Sequence, residues 1–370
     1  MKRVLLFLAL LTTTALAATP RPLHVGLIIA ETRQDHVTVN PWGIYQRQGF
    51  ELALNGTKSV TWEIKDNSES ALLAREKAAE FLKGDVDFIA GLSFSDQAMA
   101  VKQQTDAAGV PFLTVFGTSE NLFDKSKTVF TMAVSDDAQA ATLARYLAGF
   151  PAAHTSGVGL IVARNCEYCV DMEKSLKAAL AKHGLHVSQY PDILKNRPVP
   201  HDYFKSLDPA KLLVILAYEV EGLSVVNSLA KSGYQGVLLG GDSWSTQTMQ
   251  VAKNLGLLHS MCLVNPVPYD VTAGSTQNRK FVRDYQSKFG EAPTDVAALS
   301  YDAGTVILKV SAKCASADNR KHCVADTMAK LHFEGVSGRV QFSVHGKRVN
   351  TGLLLKSTTC AQLERTYGFH

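Results

Sequence analysis

Apolar and polar positions along the chain follow two different periods. Short runs of consecutive apolar residues, at 24–30, 86–90 and 110–115, predict strands that are buried on both faces. Between these runs, at 71–82 and 98–108, apolar residues recur with the spacing of an amphipathic helix. Because a βαβα alternation with continuous apolar strands is typical of a parallel sheet covered by helices, this part of the chain predicts a doubly wound α/β unit.

The same alternation starts again after Asp136. The predicted helices and strands of this second unit are, in chain order, 138–148, 158–163, 170–183, 212–217, 222–232 and 237–239. A helix-rich stretch at 278–331 follows, and then two β-like runs near Val340 and Leu353. The predicted fold is therefore α/β, with two doubly wound parallel-sheet lobes. No low-complexity linker divides the lobes, so we expect several chain crossings and a hinge between them.

The expected boundaries follow from these restarts. We expect the first lobe to contain residues 18–136 and 266–344. The second lobe is expected to contain residues 137–265 and 345–370. With about 350 residues after the N-terminal segment, the chain is longer than one compact core usually holds, which agrees with two lobes.

The N-terminal residues indicate an export signal. Lys2 and Arg3 precede an apolar run at 4–11 that is too short to span a bilayer, and Ala15-Leu16-Ala17 has the small-x-small pattern of a cleavage site. Residues 1–17 are therefore predicted to be a signal peptide, and the mature protein is predicted to be periplasmic.

Charge and motif content exclude several classes of function. The formal net charge of +4 includes Lys2 and Arg3, and no basic stripe with interleaved aromatic residues is present, so nucleic acid is not an expected partner. The sequence has no G-x-S-x-G elbow, H-E-x-x-H motif or P-loop. We therefore expect a monomeric binding protein that has no cofactor and no metal, and is not an enzyme.

The six cysteines are consistent with an oxidising compartment. Cys314 and Cys323 are close in sequence and predict a local disulfide, while pairing of Cys262 with Cys360 is one of several open connectivities. The Cys166-x-x-Cys169 pair lies where a strand meets a helix. It fits either a thiol–disulfide exchange site or a static disulfide around Tyr168, and the element order differs from that of a thioredoxin unit.

Two neighbouring strands of the first unit end in glycine followed by small hydroxyl side chains. One leads into Gly91 and Ser95, and the next leads into Gly117 and Thr118. Ligands of open α/β sheets bind beyond the carboxyl ends of the strands, where helix N-termini offer unpaired N–H groups. Each stretch by itself also fits simple helix capping. Two adjacent strand ends with the same chemistry favour a site for an anion the size of a carboxylate.

The second unit offers complementary side chains at its own strand ends. Asp242 follows the strand in "LLGGDSWST", where it would pair with a ligand cation or cap the next helix. Tyr168 and Tyr218 lie in turns after two other strands. An aromatic residue in such a turn either packs into the core or covers an apolar ligand.

The order of these motifs resembles the Leu/Ile/Val-binding branch of the type I periplasmic solute-binding proteins of ABC importers, over about residues 24–355. "PWGIYQRQGFELAL" is similar to the family's first helix with its ligand-contacting aromatic-Gly pair. "VDFIAGLSFSDQ" and "FLTVFGTSENL" are similar to its two carboxylate-binding loops. "CEYCVDMEKSL", "LAYEVEG" and "LLGGDSW" are similar to its second-lobe contact loops.

The resemblance implies a set of ligand-binding residues: Trp42, Ser95, Gly117, Thr118, Tyr168, Tyr218 and Asp242. It implies that Ser95, Gly117 and Thr118 hold a ligand carboxylate and that Asp242 holds the α-ammonium. An amino acid that satisfies both would be captured between the lobes and delivered to an ABC permease in the inner membrane.

The sequence also departs from the family pattern. The loop at 31–41 is longer and more polar than the family's, so Arg33, Gln34 or His36 either reaches a polar ligand side chain or lies in a solvated loop. The alternatives left open are a soluble ligand-sensing receptor module and a binder of amides or small organic acids.

Overall fold

The structure is a computed structural model. It describes residues 21–200, 202–205, 211–244, 246–259, 261–349 and 352–358, without the side chains of 246, 247 and 358. The expected signal peptide at 1–17 and the pairing partner Cys360 lie outside the described residues.

The first lobe is built on a parallel sheet, which has five strands in the described part of the chain. Its strands are, in chain order, β1 (Leu23–Ile29), β2 (Val60–Asp66), β3 (Phe88–Gly91), β4 (Phe112–Thr114) and β5 (Val129–Thr131). They lie side by side in the order β2-β1-β3-β4-β5. The helices between them are α1 (Pro41–Leu54), α2 (Ala71–Lys83) and α3 (Ser95–Ala108). β1 is buried almost throughout because α1 covers one face of the sheet and α2 and α3 cover the other.

The second lobe repeats this arrangement. Its helices are α4 (Asp136–Ala148), α5 (Pro151–Thr155), α6 (Glu167–Lys182), α7 (Glu219–Lys231) and α8 (Thr246–Asn254). Its strands are β6 (Val158–Arg164), β7 (Val187–Gln189), β8 (Ile193–Leu194), β9 (Leu212–Leu216), β10 (Val237–Leu239) and β11 (Cys262–Val267). All of these strands pair in parallel, and β6 and β9 are buried along nearly their whole length.

The chain then returns to the first lobe before it ends. The returning elements are α9 (Thr276–Phe289), α10 (Asp295–Cys314), α11 (Arg320–Lys330) and a hairpin of β12 (His332–Gly335) and β13 (Gly338–Gln341). α10 packs along α1 in the core of the first lobe. The last strand, β14 (Leu354–Thr358), joins the second sheet antiparallel to β11.

The described chain thus passes between the lobes after β5, after β11 and after β13. This confirms the predicted fold class, including the hinge with several crossings. The expected residue boundaries of the lobes, at 136/137, 265/266 and 344/345, stay a prediction. A disulfide joins Cys314 to Cys323, as the local spacing predicted, and a second one joins Cys166 to Cys169, whose state the sequence left open.

Candidate functional site

The end of β3 is shaped by backbone geometry that brings α3 close to the cleft. Gly91 has a φ of 117°, and a Cβ there would lie 2.2 Å from the carbonyl oxygen of Ile28. Leu92 follows with a φ of 64°, a conformation that is costly for a side chain of this size. This turn directs the loop so that Ser95 becomes the first residue of α3.

Ser95 does not cap its own helix. The N-cap of α3 is Phe94, and it forms no side-chain capping bond. The hydroxyl of Ser95 instead accepts hydrogen bonds from the backbone N–H groups of Thr118, at 3.1 Å, and Ser119, at 3.3 Å. The two hydroxyl loops of the first lobe are therefore joined directly, and the Ser95 hydroxyl proton stays available to a ligand oxygen.

Gly117 lies behind this loop. Its N–H donates to the Thr114 hydroxyl at 2.9 Å, and its carbonyl oxygen accepts from the Thr131 hydroxyl at 2.7 Å. A Cβ on Gly117 would lie 2.7 Å from the Thr114 hydroxyl oxygen, so the tight turn requires glycine. Gly117 therefore shapes the loop that presents Thr118, and its expected backbone contact with a ligand stays a prediction.

Trp42 is positioned by the start of α1. The Asn40 side chain accepts a hydrogen bond from the Trp42 N–H at 3.2 Å and donates one to the Ala30 carbonyl at 2.9 Å. A Cβ on Gly43 would lie 1.9 Å from the same carbonyl oxygen, so α1 approaches β1 as closely as glycine allows. The Trp42 ring then packs edge-on against Phe116, with ring centroids 5.1 Å apart.

The second lobe contributes two stacked tyrosines. Tyr168 lies in the first turn of α6 and Tyr218 is the N-cap of α7, and their ring centroids are 5.7 Å apart. A Cβ on Gly241 would lie 1.7 Å from the Tyr168 hydroxyl oxygen, so this tyrosine fits only because residue 241 is glycine. Across the cleft, Phe94 of the first lobe lies 4.4 Å from Tyr218, centroid to centroid.

Asp242 lies in the turn after β10, before α8 begins at Thr246. Its backbone N–H donates to the Gln139 side chain at 3.2 Å. Burial raises the pKa of Asp242 to about 7, although the Gln139 side chain lowers it, and the nearby carboxylate of Asp295 raises it further. A carboxyl group with such a pKa is partly protonated near neutral pH, and a cation placed beside it would favour its charged form.

A second buried carboxylate, Asp136, begins α4 at the hinge. Its pKa is raised well above the usual value by burial, against the opposing effect of the Thr118 hydroxyl, and Asp242 raises it further. In the sequence, Asp136 marks only the boundary between the two units. Its proximity to Thr118 and Asp242 follows from the fold, which brings the hinge and the strand ends together.

Most of these residues line one inner cavity between the lobes. Its lining residues are Trp42, Ser93, Phe94, Ser95, Phe116, Thr118, Tyr168, Tyr218, Asp242 and Ser243. Six of the seven expected site residues are therefore brought together, and Gly117 lies outside the lining. The aromatic walls Phe94 and Phe116 and the hydroxyls of Ser93 and Ser243 were missed by sequence reasoning, although Phe94 and Phe116 stand directly beside the glycine-hydroxyl motifs.

An outer cavity adjoins the inner one. The two share Trp42, Phe94, Tyr218 and Ser243 as a common wall. Of the polar loop at 31–41, Arg33 and Gln34 line the outer cavity, and His36 lines a more open space beyond it. The departure from the family pattern thus lies at the mouth of the cleft.

The lobes are closed over these cavities. Asp171 of α6 accepts hydrogen bonds from the Ser119 hydroxyl at 2.8 Å and the Glu120 N–H at 2.5 Å. Lys195 of the second lobe forms an ion pair with Asp96 of the first. Contacts of this kind hold the two strand-end surfaces face to face around whatever the cleft contains.

In the described part of the chain, no helix combines the length and apolar character needed to cross a bilayer. No group of three or more His, Cys, Asp or Glu side chains in the same ranges is arranged to hold a metal ion.

Comparison with known proteins agrees with this architecture. A leucine-binding protein, LivK, of Thermotoga maritima has 20% sequence identity and a TM-score of 0.78, with 90% of this chain and 94% of that chain covered. The substrate-binding protein LivJ of a branched-chain amino acid transporter of Streptococcus pneumoniae, solved with isoleucine, has 18% identity and a TM-score of 0.77, with 90% and 95% covered. A solute-binding protein of an ABC transporter of R. palustris, solved with benzoate, has 17% identity and a TM-score of 0.74, with 90% and 92% covered.

The curated proteins contain no match to this chain. The family model described as periplasmic binding protein, in contrast, matches residues 38–356, a range that begins after β1, ends within β14 and includes every residue that lines the inner cavity. That match and the two-lobed fold confirm the resemblance drawn from the sequence motifs, and the chain belongs to the periplasmic binding protein family.

Proposed function

We propose that this protein is an exported solute-binding protein that captures an amino acid between its lobes and delivers it to the permease of an ABC importer. One observation carries the proposal: a buried carboxylate, Asp242, faces an inner cavity whose described lining contains no lysine, arginine or histidine. Placing a carboxylate in such a cavity is unfavourable unless a cation joins it. The ammonium group of an amino acid supplies that cation.

The first-lobe wall of the cavity, opposite Asp242, is suited to bind the carboxylate of an amino acid. The Ser95 hydroxyl and the Thr118 loop lie at the N-terminus of α3, where a helix favours negative charge. A ligand carboxylate there and an ammonium at Asp242 would place a zwitterion across the cleft. The aromatic side chains of Trp42, Phe94 and Tyr218 then cover its apolar part.

The test is a thermal-shift screen of the common amino acids, with benzoate included. A ligand at about 100 times its Kd raises the free energy of unfolding by about 2.7 kcal/mol, which is easily detected. We expect amino acids to stabilise the protein and benzoate to have no effect, because benzoate has no cationic group to pair with Asp242 and its charge would oppose that of an ionised Asp242. Stabilisation by benzoate alone would support the organic-acid alternative, for which the aromatic walls provide the observation.

The variant Asp242→Asn separates binding from helix capping. If Asp242 holds an ammonium, affinity for the best amino acid should fall at least about tenfold, or ~1.4 kcal/mol. At pH 8 the same variant should melt higher than wild type, because it removes a buried charge. A capping role predicts neither change, since Asn caps a helix about as well as Asp.

Delivery to an importer rather than to a signalling partner needs a separate measurement. We expect uptake of the radiolabelled ligand by cells to be lost when the gene is deleted and restored by its expression. Normal uptake together with a lost transcriptional or behavioural response to the ligand would favour the sensing alternative.

A further inference from the structure

A short apolar amino acid bound in the inner cavity would not contact the residues that line the outer cavity. Trp42, Phe94 and Tyr218 line both spaces and form the wall that the two cavities share. A ligand whose α-carbon lies between Ser95 and Asp242 would reach the outer cavity by extending its side chain along these three rings. An unbranched hydrocarbon stem packs well against such faces.

Carboxylates outnumber cations around this second space. Glu69, Glu219 and Glu221 line the outer cavity, against Arg33 and Lys195. Burial raises the pKa of both Glu69 and Glu219. The cations are already engaged, because Arg33 lies 3.7 Å from Glu69 and Lys195 is paired with Asp96.

Glu221 is the most constrained of these acids. Its side chain is 1% exposed; one carboxylate oxygen accepts a hydrogen bond from the Asn196 N–H, and the other has no hydrogen-bond partner among the described residues. Glu221 lies in the first turn of α7, where the helix dipole favours a negative charge. That position explains an acidic residue at the surface, but it does not explain a carboxylate oxygen that is buried without a partner beside a cavity.

Lys195 shows how this space accommodates a positive charge. Its ammonium nitrogen lies 4.8 Å from the centroid of the Tyr218 ring and 5.8 Å from that of Phe94. Aromatic faces attract cations, most strongly where water is excluded. The rings that would flank a ligand stem therefore also favour a cation at its far end.

We propose that the ligand is an amino acid with a cationic side chain, whose terminal ammonium or guanidinium group binds in the outer cavity against Glu221 and Glu219. This proposal rests on the amino-acid-binding function proposed above and specifies its substrate class. In the bound state the α-carboxylate lies at Ser95 and Thr118, and the α-ammonium lies at Asp242. The distal cation supplies the hydrogen-bond donor that the second oxygen of Glu221 lacks.

Isothermal titration calorimetry with matched ligands tests this directly. L-lysine and L-norleucine share the same backbone and stem and differ in the terminal ammonium, and L-2-aminoadipate carries a carboxylate at a similar distance. We expect lysine, or arginine in its place, to bind wild-type protein at least about tenfold more tightly than norleucine, with aminoadipate weakest. Norleucine or aminoadipate binding as tightly as both basic amino acids would overturn the proposal.

The variant Glu221→Gln tests whether the terminal cation of the ligand binds at Glu221. Glu221→Gln keeps the shape of the side chain and removes its charge, so it should reduce the preference for the basic amino acid over norleucine by about tenfold. Glu167→Gln is the matched control, because Glu167 also lies in the first turn of a helix but lines neither cavity. An unchanged preference in Glu221→Gln, with a melting temperature near that of wild type, would overturn the assignment of the distal site.

The two proposals fail in different ways. If the chain binds leucine or norleucine better than any basic amino acid, and Asp242→Asn weakens that binding, the amino-acid function stands and the cationic side chain is wrong. If no amino acid binds wild-type protein at millimolar concentration, the proposed function itself fails. The comparisons between ligands use wild-type protein, so they do not depend on whether a variant folds.

Discussion

The loops of the two lobes are built alike, each running from a parallel strand into the start of a helix, yet they present different chemistry to the cleft. The first lobe presents hydroxyls and backbone N–H groups, at Ser95 and Thr118. The second lobe presents carboxylates and tyrosines, with Asp242 and Tyr218 as examples. Because the same framework supports both, the sign of the ligand group that each lobe recognises is decided by a few residues at strand ends and not by the fold.

The disulfides sharpen this comparison and have the largest expected effect on stability. Loop-closure entropy predicts a loss of about 3 kcal/mol for Cys314→Ser/Cys323→Ser and about 2 kcal/mol for Cys166→Ser/Cys169→Ser, since the second bridge closes a shorter loop. We expect only the second double variant to weaken ligand binding, because its bridge adjoins Tyr168. Denaturant unfolding and calorimetry on both variants measure this. Equal affinities in the two variants would contradict a positioning role for the Cys166–Cys169 bridge.

The raised pKa of Asp242 in the second lobe predicts that ligand affinity depends strongly on pH. With the pKa of Asp242 raised to about 7 by burial, the charged fraction falls tenfold per pH unit below that value. Affinity should therefore fall roughly a hundredfold between pH 8 and pH 5, with protons released on binding near pH 7.

The control for this prediction is the stability of ligand-free protein. A carboxylate with a raised pKa stabilises the fold at low pH and loses that contribution as pH rises through 7. Relative to Asp242→Asn, wild type should therefore be about as stable at pH 4 and less stable at pH 8. If the difference in melting temperature between wild type and Asp242→Asn does not change with pH, Asp242 does not become a buried charge in the folded protein.

Closure of the lobes provides the third comparison. Asp171 makes buried hydrogen bonds to Ser119 and Glu120 across the cleft, whereas Glu167 makes an exposed one to Asn121, at 2.8 Å. Hydrogen bonds to a buried charged group contribute about 1.5–3 kcal/mol, and exposed ones contribute less. Asp171→Ala should thus weaken ligand binding at least about tenfold and raise the radius of gyration in solution scattering, while Glu167→Gln should change neither. Equal effects of the two variants would contradict this account.

The smallest effect is expected in the first lobe. Ser95→Ala removes one hydroxyl donor, but the backbone N–H groups of the Thr118 loop remain, so the loss of affinity should be about 1 kcal/mol. Calorimetry against the same amino acid measures it. A loss larger than that of Asp242→Asn would reverse the order proposed for the two lobes.

The sequence allowed the fold class and most of the cavity wall to be predicted, because both depend on local patterns. Continuous apolar runs identified β1, β6 and β9, which are buried on both faces. Very short strands such as β5 and β8 carry too few residues for a period to be recognised, and β11 was missed as well.

The remaining features of the site depend on contacts between distant segments. Ser95 was weighed as a helix cap, but its hydroxyl binds the next loop instead, a contact that no local pattern encodes. Glu221 has the sequence position of an ordinary first-turn acid, and only the fold shows that it is buried beside Asn196 of the same lobe. Chemistry at a single strand end was therefore predictable, whereas contacts between loops that are distant in sequence were not.

The position of Trp42 gives the molecule an intrinsic optical reporter. The chain has three tryptophans: Trp244 is fully enclosed, with its indole N–H bonded to the Ala217 carbonyl, and Trp62 lies on the edge strand β2, away from both cavities. Of the three tryptophans, only Trp42 lines the inner and outer cavities. Its emission should therefore shift and change in intensity as the cleft fills, so that binding could be followed in real time without an attached dye.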